Sequence, residues 1–278
     1  MSVTSETHSR AAAPLSTYRE VDVQREDGGC IERTTDYVAE ECPVALLYHN
    51  VPHVVMLASP ADLEDLGVGF TLSEGLVSTP SEIRGVELIR HADSLAVHLQ
   101  IAAERFSALL RRQRNLTGRT GCGLCGVESI EEAIRRPPAV RPGLRVKALE
   151  LHAELARLHT QQPLNLATGS VHAVAWAVPG KGIQLVREDV GRHNALDKVI
   201  GALVRAGTDV SEGYFIISSR ASYEMVQKAA AVGVSLVAAV SAPTAMAIDV
   251  AADAGVTLIG FARNDRHVVY AHPERLQD

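Results

Sequence analysis

The chain has 278 residues, 46% apolar and 22% charged, with four cysteines and a formal net charge of −6. That length suits one large domain or two modest ones, at roughly 100–200 residues per domain, and a core of that size needs no disulfide or metal staple. The balance excludes a wholly disordered, collagen-like or disulfide-scaffold protein, and an acidic chain argues against a general nucleic-acid coat.

Residues 1–18 are polar and lack the apolar centre of a signal peptide, so a disordered tail is expected. Four thiols are too few for a disulfide framework. Ser235, Ser241, Pro243 and Thr244 interrupt the uncharged stretch 229–248, which therefore reads as strand, loop and helix and not as a membrane span. A cytoplasmic protein with no membrane and no nucleic-acid partner is the expectation.

Residues 19–115 read as a smaller N-terminal α+β domain. YREVDVQRE and CIERTTDYVAEE flank Asp27-Gly28-Gly29 as a hairpin, and PVALLYH and HVVMLAS flank a turn at Asn50-Val51-Pro52. Ser59 as N-cap and Pro60 at the first helical position open a helix whose apolar face is Leu63, Leu66 and Phe70, with Gly75 at its end. EIRGVELIR and LAVHLQI pair across Ala92-Asp93-Ser94. AAERFSALLRRQR is helical, burying Phe106, Leu109 and Leu110. Residues 114–126, RNLTGRTGCGLCG, read as a loop. A short helix over 127–136, with Ser129 and Glu132 as a capping box, leads into the stiff connector RPPAVRPG.

Residues 116–278 read as a second, α/β domain carrying that C-x-x-C loop. After the helix ALELHAELARLH and the strand VHAVAWAV come IQLVRE, YFII, SLVAAV and TLIGFA, each ending in a short polar loop. Helices follow the first three and the strand HVVYA follows the last. This alternation predicts a mixed, largely parallel sheet covered by helices.

In such a sheet, ligands bind outside the carboxyl ends of the strands. Three of the four loops carry arginine: Arg192, Arg220, and Arg263 with Arg266. Asn194, Ser222 and Thr244 are placed to cap the following helices. Any one such loop is more simply an ordinary cap with a solvated arginine. Four at one edge form an anion site suited to phosphate or pyrophosphate. His193, inside the first arginine loop, is a candidate for acid–base work or a phosphate contact. His172, after Thr168-Gly169-Ser170, is a second candidate, though a histidine there is more often structural.

Gly121-Cys122-Gly123-Leu124-Cys125-Gly126 is the sharpest local feature. Arg111, Arg112, Arg114 and Arg119 favour thiolate there, while Glu128, Glu131 and Glu132 oppose it. Half a zinc site, dithiol redox chemistry and a mobile sulfur carrier all fit the spacing. The same residues match G-x-G-x-x-G, but no apolar strand precedes them. His152-Ala153-Glu154 matches the H-x-E of zinc deaminases, yet their P-C-x-x-C lies downstream and here the C-x-x-C is upstream without the proline. His152 therefore reads as structural within its leucine-rich helix, and no metal ligand set is assigned.

Taken together, GCGLCG, EDVGRHNALDKVIG, SSRASYEMVQKAA, SAPTAMAID and GFARNDR, with LEDLGVGFTLSEGL upstream, resemble the FdhD/NarQ family of formate dehydrogenase accessory sulfurtransferases over residues 20–273. The resemblance implies a second domain of cytidine-deaminase-like fold without deaminase activity, and a homodimer. It implies that Cys122, with Cys125 as second thiol, takes sulfane sulfur from a cysteine desulfurase as a persulfide. The sulfur would pass to the molybdenum of bis-molybdopterin guanine dinucleotide, the cofactor of the formate dehydrogenase catalytic subunit. It places Phe261, Ala262, Arg263, Asn264, Asp265 and Arg266 against that cofactor, for which GDP or GMP is a surrogate. The competing expectation is a non-catalytic cofactor-binding chaperone whose C-x-x-C holds a structural metal.

Overall fold

The structure, a computed structural model, describes residues 15–90, 94–117, 136–263 and 265–278, with backbone alone for 113–117. Cys122, Cys125, Asn264, most of the expected tail and the short helix expected from residue 127 lie outside the described residues.

Strands β1 (Tyr18–Asp27) and β2 (Cys30–Ala39) pair antiparallel around Gly28-Gly29, as the Asp-Gly signal predicts. β3 (Cys42–Tyr48) and β4 (Val51–Ala58) are joined by His49 and Asn50, whose φ values of 49° and 66° are the left-handed pair a tight hairpin turn demands. With β5 (Ile83–Arg90) and β6 (Leu95–Ile101) they form a sheet of order β4-β3-β6-β5. Val44, Leu46 and Tyr48 alternate into its core, the period of two of a half-covered sheet. Helices α1 (Leu63–Ser73) and α2 (Ala103–Thr117) contribute Leu63, Leu66, Leu72 and Leu109 to the same core.

Three local expectations need correction. The β3–β4 turn is His49-Asn50, with Val51 and Pro52 already in β4. Ser59 and Pro60 do not open α1, which starts at Leu63 behind a left-handed Asp62. Ser59 is engaged instead by distant residues described below. α2 runs on to Thr117, into the segment expected as loop from residue 114.

The larger sheet has the order β13-β12-β11-β10-β8-β9 among the described residues. Its strands are β8 (His172–Val178), β9 (Gly182–Asp189), β10 (Tyr214–Ile217), β11 (Leu236–Ala239), β12 (Thr257–Arg263) and β13 (Arg266–Ala271). It is mixed, as expected, but parallel only at its centre, β10-β11-β12; the other three pairings are antiparallel. β10 and β11 are wholly buried, as strands covered on both faces must be. One face carries α5 (Arg192–Arg205), α6 (Tyr223–Ala231) and α7 (Ala245–Ala254). The other carries α3 (Ala148–Thr160), whose Leu151 and Leu158 pack on Ala175, Ile216 and Ala238. A short helix, α4 (Pro163–Thr168), leads into β8, and β7 (Val146–Lys147) pairs with β14 (Leu276–Gln277) as a separate two-stranded sheet whose Val146 and Leu276 pack into the same core as α3.

The two cores meet where α1 crosses α5. A Cβ added at Gly69 would lie 1.8 Å from the Asp197 carbonyl oxygen, and one at Gly201 1.9 Å from that of Asp65. The helices therefore touch backbone to backbone, and only glycine permits it. Buried charges frame the contact: Lys228 binds Asp197 at 2.8 Å, Glu74 at 2.9 Å and the Ser73 hydroxyl at 2.9 Å. No helix among the described residues is long and apolar enough to cross a membrane.

Candidate functional site

β8 runs antiparallel to both β9 and β10, while β11 and β12 run parallel to β10. The carboxyl ends of β9, β10, β11 and β12 therefore share one rim. His172 at the start of β8, paired with Asp189, and Arg266 at the start of β13 lie at the same rim. The four loops singled out in the sequence converge, as the topology argument requires.

The first loop is set by a clamp. Asp189, fully buried, accepts on Oδ1 from the Gly191 amide at 2.8 Å and the Asn194 amide group at 2.9 Å. Its Oδ2 meets Lys198 Nζ at 2.6 Å and the Ser59 amide at 3.0 Å. Lys198 also donates to the Ser59 carbonyl, Asn194 to the Leu57 carbonyl, and the Val190 amide to Ser59 Oγ. Asn194 thus ties the loop to the β4–α1 connection and does not cap α5; Gly191 occupies the cap position. Breaking a buried ion pair leaves a desolvated charge and costs about 3–5 kcal/mol. Lys198→Met is expected to lose stability on that order in urea unfolding, and Asp189→Asn in the same chain to recover part of it.

Arg192 and His193 stand on the turn this clamp fixes. Arg192 Nε is buried without a hydrogen-bond partner among the described residues. His193 Nε2 lies 2.6 Å from Glu224 Oε2 on α6. Burial pushes the His193 pKa below the usual imidazole value; Glu224 opposes this and Arg192 adds to it. His172, half-buried, is pushed down by burial and then by Arg192, against the pull of Asp189. Both rings are therefore biased towards the neutral form, which both donates and accepts hydrogen bonds.

The next two loops are laced together: the Ala221 amide donates to the Ala242 carbonyl and the Thr244 amide to the Ala221 carbonyl. Arg220, in the first of them, is exposed. Thr244 caps α7 through its hydroxyl, as expected. Ser222 holds the cap position of α6 without capping it, and its buried Oγ lacks a partner among the described residues. Orphaned donors on Arg192 and Ser222, at two helix N-termini, suit an anion.

The fourth loop borders a cavity of about 500 Å³. Ala262 and Val240 line it beside Ser218, with Arg263 and Asp265 at the strand end and Gln162 and Asn165 opposite. Phe261 and Asp265 have φ values of 51° and 57°, Phe261 is exposed, and its amide donates to the Ser241 carbonyl. Arg263 and Arg266 are exposed. The structure thus brings Ala262, Arg263 and Asp265 to one cavity, and His172, Arg192 and His193 to a neighbouring cluster. Arg220 lines neither.

Sequence reasoning missed the clamp and the cavity wall. Asp189 and Lys198 stand in a stretch singled out for its arginine and histidine, but their partner Ser59 lies about 130 residues upstream. His152, set aside as structural, lines the cavity together with His159. Among the described residues, no group of three or more His, Cys, Asp or Glu is placed to hold a metal.

Residues 39–277 match the profile of the FdhD/NarQ family. A protein of Xanthomonas euvesicatoria pv. vesicatoria named sulfur carrier protein FdhD is 50% identical over 268 residues, 96% of this chain and 95% of that one. A Cupriavidus necator protein of the same name is 49% identical over 274 residues, 98% and 95% of the two chains. A solved structure from Desulfotalea psychrophila, described as a candidate formate dehydrogenase accessory protein, superposes with a TM-score of 0.74. It covers 94% of this chain and 100% of that one at 21% identity, a likeness of fold. With the match to the profile extending over the rim loops and both cores, this chain belongs to the FdhD/NarQ family.

Proposed function

We propose that this protein is a cytoplasmic sulfur carrier in formate dehydrogenase maturation, and that it acts as a sulfurtransferase through a cysteine persulfide. The relatives at about half identity carry the name sulfur carrier protein, which supports the sulfur part of the reading. The observation that carries the rest is the convergence of four strand ends on one rim, three of their loops bearing arginine (Arg192; Arg220; Arg263 with Arg266), beside two helix N-termini with orphaned donors.

In this reading the Cys122 thiolate attacks the terminal sulfur of a cysteine desulfurase persulfide. The desulfurase cysteine leaves as thiolate, and Cys122 carries the sulfur as its own persulfide. The acceptor is the molybdenum of bis-molybdopterin guanine dinucleotide, held as cargo. Its phosphates would lie on the arginines and helix N-termini, and a guanine half beside the Phe261–Arg266 segment. Neutral His172 and His193 would hydrogen-bond the cargo without adding positive charge. The formate dehydrogenase catalytic subunit receives the sulfurated cofactor, and the carrier works as a homodimer.

The direct test is mass spectrometry after incubation with a cysteine desulfurase and cysteine. The peptide spanning Cys122 and Cys125 is expected to gain one sulfur atom, removable by a thiol reductant. Stoichiometric zinc on unreactive thiols would overturn the reading in favour of a metal-stapled chaperone.

A further inference from the structure

His152 of the cavity wall belongs to a pair of groups that sulfur transfer does not use. His152 on α3 and His267 on β13 face each other, Nε2 to Nδ1, at 2.9 Å, with ring centroids 5.1 Å apart. His267 stands two residues beyond Asp265, on the edge strand of the sheet. The β12–β13 ladder shifts register between Gly260 and Arg263, and Phe261 and Asp265 are both left-handed. Arg263 and Arg266 pair beyond that shift, and the imidazole contact ties the start of β13 to α3.

We propose that His152 and His267 are positioning residues that latch Asp265–His267 against α3 beside the cavity, through one shared N–H, and release it when both rings are protonated. The inference rests on the reading of Phe261–Arg266 as the cradle of the cargo.

The chemistry is that of two imidazoles with one hydrogen between them. A neutral pair has one donor and one acceptor facing. A first proton can sit on an outer nitrogen and leave the shared N–H in place. A second puts hydrogens on both facing nitrogens and abolishes the bond. Burial and the facing His152 push the His267 pKa below the usual imidazole value. The latch therefore holds at neutral pH and is lost as pH falls through that depressed value. The charged or titratable groups nearby are His159 on the same helix, Arg263 and Asp265 on the cavity wall, and Arg266 next in the chain. Glu188, on the opposite edge strand β9, is occupied by the Leu164 and Asn165 amides.

The test uses the whole protein as wild type, His152→Gln and His152→Ala. A glutamine amide group donates to a neutral ring and accepts from a protonated one, so it serves a latch in either state. Hydrogen exchange over residues 265–268 is expected to lose about tenfold in protection factor between about pH 7.5 and about pH 5 in the wild type. The glutamine variant is expected to stay protected at both, and the alanine variant to be unprotected at both. A glutamine variant with the wild-type pH profile, or an alanine variant as protected as wild type, overturns the latch. GDP affinity by calorimetry is expected to follow the same order. If GDP binds none of the three proteins, the cradle reading fails while the exchange profile still decides the latch.

Discussion

Replacing Cys122 by alanine is expected to leave formate dehydrogenase polypeptide at normal abundance and its activity absent. The measurement is formate oxidation in cells whose only carrier is the variant. The expectation is all-or-none because transfer needs a thiolate that can both take up and release sulfur. The two cysteines outside the C-x-x-C are poorly suited to stand in. Cys42 is half-buried with its thiol donating to the Ala58 carbonyl, and burial pushes its pKa up, away from thiolate. Cys30 is exposed, but it closes the β1–β2 turn, fixed by its pairing with Asp27. Normal maturation by Cys122→Ala would end the proposed mechanism. Cys125→Ala separates the roles of the two thiols: retained activity makes Cys125 an accessory group.

Gly201→Ala is expected to be among the most destabilising single-methyl changes in the chain. The new carbon would lie 1.9 Å from the Asp65 carbonyl oxygen, which is backbone and cannot swing aside. α1 and α5 would have to separate along their crossing. Asp65 is itself buried and bonded to Arg187 at 3.0 Å, so that movement strains an ion pair as well. Overpacking of this kind costs about 3 kcal/mol, to be read as a lower urea midpoint. Gly85→Ala is the control, because its Cβ meets only Gln100 atoms at 3.8–3.9 Å. Equal midpoints for the two variants would show that the helices yield freely.

What the sequence disclosed and what it hid divide by range of interaction. The β1–β2 turn and the wholly buried YFII and LVAA strands follow from local chemistry, and all were legible. So was the meeting of four loops on one rim, because strand-then-helix order dictates which loops share an edge. The start of α1 was misread because Ser59-Pro60 is a good local cap signal overruled by Asp189 and Lys198 from the other core. The sheet was expected to be more parallel than it is. β8 lies between β9 and β10 in space, and strand composition alone does not distinguish that order from a continuous parallel run. The His152–His267 pair joins residues 115 apart, beyond any spacing rule.

The crossing of α1 and α5 has a consequence for how the molecule is made and lost. Where the main chains touch, neither half presents a finished outer surface, and the lysine beneath needs carboxylates from both sides. A ribosome that has released only the first hundred residues has thus delivered a piece with a raw flank. The nascent chain must wait for α5 and α6 before that flank closes, which leaves an interval in which a chaperone would find something to hold.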